Sequence, residues 1–422
     1  MRNSLQRIRS GIAAKHALEK RPKPYSLEVI MHINQEARSA QLRRIVARAK
    51  TLPFYAEALM GIDPEDVSAE DVSALPLLTR SQLVDYFQQE GTDGGFLRED
   101  IAQVFLTPAP DIGRMPEYLT ERDLEWQAAA TAAQFDQCGI GRGDRCLVVF
   151  SYHMLAGGWL FHQGLLQLGA TVLALGPADA KTVVEITEQY GFNVLVSNPS
   201  FARKIGEAGG RYQTLLAAGE PFSAVPDYRE SLEALLGCQA YDAYGLSETG
   251  IVAADTRSKD GMRVINEAAV VEVLDPQTGA AVAEGEKGEI VITSLNREGM
   301  PILRFRTGDL TLRGAYDQGR LVLPRGVFGR TDSMVKVKGV KFYPKELLFI
   351  LAATPGLNFR NYQIVLSRND QGTDHAVLRV EGEASTDTHE LAERIRNACG
   401  IGMNAIEVVA QVEGDMLVDE RF

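Results

Sequence analysis

Hydrophobic positions in the first ninety residues recur at helical spacing, and from residue 121 onward the pattern alternates between strand and helix. Leu42, Ile45, Val46 and Ala49 share one helical face, and Thr79 precedes a second helix as an N-cap. The alternating elements are helix 121–138, strand 145–152, helix 159–168, strand 170–175, helix 180–190 and strand 194–196. Strands that alternate with helices in this way predict a largely parallel sheet with helices on both faces, and therefore an α/β fold.

Two later regions depart from this alternation. Residues 264–310 carry strand patterns bounded by glycine turns, which predicts a β-rich subdomain. Residues 330–422 follow a Gly-Val-Phe-Gly turn and are long enough for a small α+β domain of their own. Within them the pattern predicts a strand at 334–340, a helix at 388–399 and a last strand at 406–412. The prediction is an N-terminal domain of residues 1–329 and a C-terminal lid of residues 330–422, joined by a hinge near 330–332.

One segment between the helical start and the alternating region is predicted to be irregular. Residues 104–120 contain Pro108, Pro110 and Pro116, and proline lacks the backbone N–H that helices and sheets use. We therefore expect no regular secondary structure there.

Composition narrows the functional class. A length of 422 residues exceeds what one core usually supports, and the net charge of -12 argues against binding to nucleic acid or to an anionic membrane. No apolar run approaches the roughly 20 residues of a membrane span, and the basic N-terminus lacks the apolar core of a signal peptide. The four cysteines lack metal or redox spacing. These features predict a cytoplasmic protein with reduced thiols.

The stretch from Asp242 to Gly250 is the strongest candidate for a site. A predicted strand, 238–244, ends at a glycine and is followed by Ser247, Glu248 and Thr249. Small polar groups and a carboxylate at a strand end are typical of ligand-binding loops in α/β proteins, although a simple turn has the same composition.

Four separated motifs together resemble the adenylate-forming superfamily, and within it the branch of the phenylacetate-CoA ligases. The motifs are Gly219-Glu220-Pro221, Tyr244-Gly245-Leu246-Ser247-Glu248, Arg304-Phe305-Arg306-Thr307-Gly308-Asp309-Leu310, and Gly329-Arg330-Thr331-Asp332 followed by Lys336, Lys338 and Gly339. The similarity runs from about residue 35 to the last predicted strand. It implies a large α/β domain with a mobile lid, and an enzyme that activates a small carboxylic acid.

The resemblance also implies roles for individual residues. Glu248 would hold Mg²⁺, Ser247 and Thr249 would donate near the α-phosphate of ATP, Asp309 would accept both ribose hydroxyls, and Arg330 would meet the ribose or phosphate. The implied nucleotide-binding residues are Gly219, Glu220, Pro221, Tyr244, Gly245, Asp309, Arg330, Asp332 and Lys338, with Asp332 as the hinge. Asp309 as a turn acceptor and Arg330 as a surface arginine are the plain alternatives.

The same resemblance suggests the substrate and the partners. Tyr152, His153 and Trp159 stand where the branch has its aryl-acid pocket, although His153 is equally consistent with an ordinary surface histidine. ATP or AMP would be the nucleotide, and the acceptor thiol would belong to CoA or to the phosphopantetheine of a carrier protein. A homodimer is compatible with the sequence.

Three departures from the family pattern bear on this hypothesis. The phosphate loop, rich in Ser, Thr and Gly in the family, is replaced by residues 107–114, in which Pro108, Pro110 and Asp111 disfavour a triphosphate. No lysine follows Lys345, so the family's C-terminal adenylation lysine has no counterpart, and Arg421 differs from lysine in geometry. Asp255 and Arg263 stand near the zinc ligands of some relatives, which predicts no zinc.

These departures leave three hypotheses. The chain is a carboxylate-activating ligase that compensates for the altered loop, or a repurposed relative that acts on an acyl group activated elsewhere, or a binding protein without catalysis. Retention of Glu248, Asp309, Arg330 and Asp332 argues against the last, because unused charged groups in a buried cleft carry a desolvation cost.

Overall fold

A computed structural model describes residues 34–109, 112–331, 335–337, 340–342, 344–352, 354, 357–368, 374–384, 387–399 and 401–421. The helices are α1 (Gln35–Ala49), α2 (Arg80–Glu90), α3 (Glu121–Gln137), α4 (Gly157–Gln167), α5 (Ala180–Tyr190), α6 (Pro199–Glu207), α7 (Tyr228–Leu236), α8 (Glu346–Ala352) and α9 (Thr388–Cys399).

The strands fall into two groups along the chain. The first are β1 (Leu78–Thr79), β2 (Ile101–Ala109), β3 (Gly113–Thr120), β4 (Arg145–Val148), β5 (Thr171–Ala174), β6 (Val194–Ser197), β7 (Thr214–Ala218), β8 (Gln239–Leu246), β9 (Gly250–Ala254), β10 (Met262–Val264) and β11 (Ala269–Leu274). The others are β12 (Lys287–Ser294), β13 (Phe305–Leu312), β14 (Tyr316–Asp317), β15 (Arg320–Leu323), β16 (Val327–Arg330), β17 (Val335–Val337), β18 (Val340–Phe342), β19 (Leu357–Arg368), β20 (Asp374–Ala384), β21 (Ala405–Val409) and β22 (Leu417–Asp419).

The predicted parallel sheet is present and forms the larger part of a nine-stranded sheet. Its order is β14-β15-β10-β9-β8-β7-β6-β4-β5, and the β8-β7-β6-β4-β5 part is parallel throughout. From β8 onward the neighbours become antiparallel. The loop between β8 and β9 therefore leaves the sheet at the carboxyl ends of the parallel strands, where α/β proteins bind their ligands.

Local sequence explains where the helices on this sheet begin. Thr120 and Asp123 form a capping box at the start of α3, in which each side chain accepts the other residue's backbone N–H. Asn198 caps α6, and Pro199 follows at its first turn. The helices bury apolar faces against both sides of the sheet, with Phe135 and Phe161 stacked at 5.5 Å on one side.

A second sheet forms the predicted β-rich subdomain. Its order is β1-β13-β12-β11. β16 also pairs with β13, on the edge of β13 that faces away from β12. The short β1 comes from the N-terminal helical part and pairs in parallel with β13, so it connects that part to the subdomain. β16 ends at Arg330, opposite Asp309 of β13.

The prediction that residues 104–120 are irregular is wrong. β2 and β3 pair as an antiparallel hairpin over this segment, with Leu106 opposite Pro116 and Pro108 opposite Arg114. A two-stranded hairpin has two edges, and proline is tolerated where its missing N–H faces away from the partner strand. Pro110 and Asp111 lie outside the described residues.

The C-terminal part has a sheet and a core of its own. β19 and β20 are antiparallel, and β21 and β22 flank them in parallel, giving the order β21-β20-β19-β22. The predicted strand 334–340 is instead the hairpin β17–β18, and β22 lies beyond the strand predicted to be last. Arg394 of α9 contacts Asp227 at 3.0 Å, which connects this part to the loop before α7.

Candidate nucleotide site

A cleft of about 240 Å³ lies where β8, β13 and β16 meet. Its walls include seven residues that the sequence predicted, which are Gly219, Glu220, Pro221, Tyr244, Gly245, Asp309 and Arg330. The structure thus brings together residues of all four motifs, and the outermost of them, Gly219 and Arg330, are 111 positions apart in sequence. Asp332 and Lys338 lie outside the described residues.

Asp309 is the centre of a buried polar network in this cleft. Arg330 Nη1 is 2.8 Å from its Oδ1, and the Tyr244 hydroxyl donates to its Oδ2 at 2.8 Å. Burial raises the pKa of the Asp309 carboxyl, an effect that Arg330 and Tyr244 oppose. Each carboxylate oxygen keeps a second acceptor position, as a ligand with two adjacent hydroxyls requires.

The loop 219–221 forms the opposite wall. Gly219 has φ +82°, a conformation that residues with a side chain rarely adopt. Glu220 accepts from the Ser200 backbone N–H at 3.0 Å and from the Ser200 hydroxyl at 2.8 Å, so its carboxylate is held at the first turn of α6. Glu220 therefore fixes the loop.

Asp242 also lines the cleft; it begins the candidate stretch, but the sequence assigned it no role of its own. Its Oδ2 accepts from the Ser223 backbone N–H at 3.0 Å and from the Ser223 hydroxyl at 2.5 Å. Burial, together with the nearby Asp255 carboxylate, raises the pKa of Asp242 to about 7. Its position two residues before Tyr244, on the same face of β8, was the signal that could have found it.

The predicted strand before the YGLSE motif extends further than expected. β8 continues through Gly245 to Leu246, and Leu246 pairs with Gly250 across a tight turn to β9. Thr249 is fully buried, and its hydroxyl donates to the Gly250 carbonyl at 3.2 Å, while Ser247 is half-buried. Of the two predicted hydroxyl donors, Ser247 is the one with an accessible surface.

Gly245 cannot be replaced without moving the backbone. A Cβ at this position would lie 2.3 Å from the Gly250 carbonyl oxygen and 2.7 Å from Ile251 Cα. We expect Gly245→Ala to lower the free energy of unfolding by about 2–3 kcal/mol, because backbone atoms cannot give way as a flexible side chain can. Urea unfolding measures it, with Gly141→Ala, where a Cβ meets nothing within 4 Å, as the control. Equal stabilities of the two variants would contradict this.

Glu248 is buried beneath the loop and is paired with an arginine that the sequence did not single out. Arg80, the first residue of α2, places Nη1 2.6 Å from Glu248 Oε1, and its Nη2 donates to the Pro108 carbonyl at 3.0 Å. The buried Arg297 donates through Nε to the Glu248 backbone carbonyl at 3.1 Å. Guanidinium groups therefore lie on two sides of this residue.

Glu117 of β3 adds a second buried carboxyl beside Glu248. It is 3% exposed, and neither carboxylate oxygen accepts a well-formed hydrogen bond. Burial, and then the negative charge of Glu248, raises the pKa of Glu117 to about 8, although Thr107, Arg297 and Arg80 oppose this. At neutral pH the Glu117 carboxyl is therefore mostly protonated.

The raised pKa of Glu117 predicts that the free energy of unfolding falls as the pH rises from weakly acidic to weakly alkaline values. Since the folded chain holds this proton more tightly than the unfolded chain, stability falls as pH rises from about 4.3, the ordinary glutamate pKa, to about 8. We expect Glu117→Gln to lose less stability than the wild type between about pH 5 and pH 9, measured by urea unfolding. Glu57→Gln, at an exposed position, is the control. Identical pH profiles for wild type and Glu117→Gln would contradict the assignment.

Two of the three residues predicted to line an acyl pocket contact each other. Tyr152 and Trp159 pack edge to face, with ring centroids 5.6 Å apart, and the Tyr152 hydroxyl is 3.1 Å from His162 Nδ1. Burial lowers the pKa of His162. His153 is exposed, and its Nδ1 is 3.1 Å from Ser151 Oγ. His162 lies one helical turn after Trp159, a spacing that could have indicated it.

The described residues of the altered phosphate loop lie at the end of β2 and at the start of β3. Thr107 is buried in β2, whereas Gly113 and Arg114 are exposed at the start of β3. Proline has no N–H to offer a phosphate, and the strand pairing uses part of the remaining N–H groups. This hairpin differs from the open cradle that a triphosphate requires.

The C-terminal arginine is held by neighbouring carboxylates. Arg421 contacts Asp419 at 2.6 Å and Asp374 at 3.2 Å at the edge of the C-terminal sheet. In the described conformation these two carboxylates offset the positive charge of Arg421.

The positions considered for zinc hold ion pairs. Asp255 is 2.7 Å from Arg229, and Arg263 is 2.9 Å from Asp317. Within the described ranges, no three His, Cys, Asp or Glu side chains are grouped to hold a metal ion. Every helix in that part of the chain is too short or too polar to cross a membrane.

Comparison with known proteins agrees with this geometry. Residues 118–296 match the family described as AMP-binding enzyme. The chain is 28% identical over 440 residues to a phenylacetate-coenzyme A ligase of Aromatoleum evansii, covering 95% of this chain and 99% of that one. A Thermus thermophilus protein of the same name is 29% identical, covering 81% of this chain and 80% of the other.

Solved structures show the same fold. A 2-hydroxyisobutyryl-CoA ligase in the postadenylation state superposes with a TM-score of 0.75 at 22% identity, covering 92% of this chain and 90% of the other. The same ligase with its acyl adenylate and CoA, in the thioesterification state, superposes with a TM-score of 0.67.

Proposed function

We propose that this chain, which matches the AMP-binding enzyme family over residues 118–296, converts a small carboxylic acid to its CoA thioester through an acyl adenylate. The observation that carries the proposal is the buried Asp309 network in the cleft beside Gly219 and Gly245. A carboxylate with a cationic partner and two remaining acceptor positions suits the two hydroxyls of a ribose.

The reaction would proceed in two steps. The substrate carboxylate attacks the α-phosphorus of ATP and pyrophosphate leaves. The CoA thiol then attacks the acyl carbon, and AMP leaves. Asp309 would hold the ribose, Arg330 would meet the ribose or phosphate edge, and Ser247 would donate to the α-phosphate. Asp242 and the loop 219–221 would line the base. Such positioning and electrostatic stabilisation account for most of the catalysis in phosphoryl and acyl transfer.

We propose that the acid is small and aromatic, because two aromatic side chains lie together where it would bind. Tyr152 and Trp159 offer an aromatic side wall, and His162 offers a polar contact through its link to the Tyr152 hydroxyl. Relatives named for phenylacetate and a structural neighbour named for 2-hydroxyisobutyrate support a small acid of this kind. CoA is the proposed thiol, with a carrier-protein pantetheine as the alternative.

A lid motion is part of the proposal. Residues 330–422 would rotate as one domain about residues 330–332 between the two steps, which is a common way to exchange catalytic groups. Support comes from the separate sheet and the separate apolar core of the C-terminal part.

The altered phosphate loop of the β2–β3 hairpin favours a second candidate function. Pro108 and the missing C-terminal lysine affect only the step that uses ATP, while the Asp309 network serves both steps. In this second candidate the chain receives an acyl adenylate made elsewhere and transfers its acyl group to the thiol.

Separate assays of the two half-reactions distinguish these candidates. Exchange of labelled pyrophosphate into ATP, over a panel of small aryl and alkyl acids, reports the first step. Formation of acyl-CoA and AMP from a synthetic acyl adenylate and CoA reports the second. Activity in both supports the full ligase, and activity in the second alone supports the second candidate. Inactivity in both, with AMP bound, would contradict both candidates.

A further inference from the structure

The pair formed by Arg80 and Glu248 bears on the cation of this site. Arg80 begins α2, whose N-cap Thr79 forms a capping box with Gln82, so the backbone that carries the guanidinium is fixed. Its two terminal nitrogens reach different loops, with Nη1 at Glu248 Oε1 and Nη2 at the Pro108 carbonyl. One side chain thus connects the altered hairpin to the loop between β8 and β9.

The resulting donor set does not fit Mg²⁺, the metal that the resemblance assigns to Glu248. Mg²⁺ needs oxygen ligands in near-octahedral order at about 2.0–2.1 Å. Oε1 of Glu248 already has a guanidinium nitrogen at 2.6 Å, and Arg297 lies on the backbone side of the same residue. A divalent ion at this oxygen would meet a like charge within contact distance.

The charge balance of the site leads to the same conclusion. Arg80 is half-exposed on the side of the hairpin, whereas Glu248 is buried. A buried carboxylate needs a cation, and the arginine supplies it without an ion from solution. A guanidinium with a solvent-facing side can also donate to phosphate oxygens, which it matches in geometry.

We propose that Arg80 occupies the cation position at Glu248, so that this chain binds an adenylate without a divalent metal, and that removal of the guanidinium opens Glu248 to a divalent cation. The adenylate half of this proposal rests on the proposed function. The cation half rests on the contacts of Arg80 alone.

Titration with Mn²⁺ alone, followed by the electron paramagnetic resonance signal of the unbound ion, tests the cation half. We compare the wild type with Glu248→Gln, Arg80→Met and the Arg80→Met/Glu248→Gln double variant. Arg48→Met, which removes an arginine paired with Asp100 at 2.7 Å, is the matched control. We expect Arg80→Met to bind Mn²⁺ at least ten-fold more tightly than the wild type, and the double variant to lose this gain.

Two results would overturn the cation half. One is that the wild type binds Mn²⁺ and that Glu248→Gln removes this binding. This comparison does not use an Arg80 variant, so it remains valid if Arg80→Met does not fold. The other is a folded Arg80→Met variant that gains no Mn²⁺ binding.

Calorimetric titration with AMP, in chelator and in excess Mg²⁺, tests the adenylate half. We expect affinities within two-fold of each other for the wild type, and AMP binding that appears only with Mg²⁺ would overturn it. If AMP binds under neither condition, the proposed function fails and the adenylate half falls with it, whereas the Mn²⁺ titration still decides the cation half.

Discussion

Asp309→Ala is expected to weaken AMP binding at least 100-fold. The substitution removes the acceptor of both proposed ribose hydroxyls, and hydrogen bonds to a charged group contribute about 1.5–3 kcal/mol each. It also leaves Arg330, now 2.8 Å from Asp309 Oδ1, without that carboxylate at the edge of the cleft. Isothermal calorimetry with AMP measures the loss.

Two further variants make this result specific. Asp309→Asn keeps the shape and one acceptor and should bind with intermediate affinity, and Asp63→Ala, outside the cleft, should bind as the wild type does. Thermal unfolding verifies that the Asp309 variants are folded. A folded Asp309→Ala protein with AMP affinity within three-fold of the wild type would contradict the assigned role.

Arg304→Met is expected to lower the free energy of unfolding by about 3–5 kcal/mol, the usual cost of breaking a buried ion pair from one side. Arg304 is buried and forms two hydrogen bonds of 2.9 Å with Glu272. It also donates to the Ser73 and Leu75 carbonyls at 3.0 Å, so its loss leaves the partly buried Glu272 carboxylate and two carbonyls without their donor.

Urea unfolding measures this effect against a matched surface pair. Arg396→Met removes an exposed arginine 3.0 Å from Glu393 and should change stability by less than about 1 kcal/mol. An Arg304→Met/Glu272→Leu double variant should recover part of the loss, because no buried charge is then left unpaired. A loss below about 1 kcal/mol for Arg304→Met would contradict the structural role of this network.

Elements with strong local signals could be predicted from the sequence. The helices Ala180–Tyr190 and Thr388–Cys399 and the capped start at Thr79 agree with the structure, because periodicity and capping act within a few residues. The β2–β3 hairpin could not be predicted in this way. Its prolines oppose a strand locally, and only pairing with the neighbouring strand makes the extended conformation favourable.

The site divides in the same manner. Tyr244, Asp309 and Arg330 could be found because they stand in recognisable motifs. The pairing of β13 with β16 places Arg330 beside Asp309, and Tyr244 reaches Asp309 from β8 through its hydroxyl. Arg80 and Glu117 could not be found, because each acts through its proximity to Glu248. Arg80 is 168 residues away from Glu248 in sequence, and that proximity exists only in the folded chain.

A crystal structure of the chain grown with AMP tests the central claim most directly. The account predicts AMP in the cleft between β8, β13 and β16, with both ribose hydroxyls on Asp309 and the base between Asp242 and the loop 219–221. AMP bound elsewhere, or an empty cleft in crystals grown at saturating AMP, would contradict the assignment of this cleft as the adenylate site.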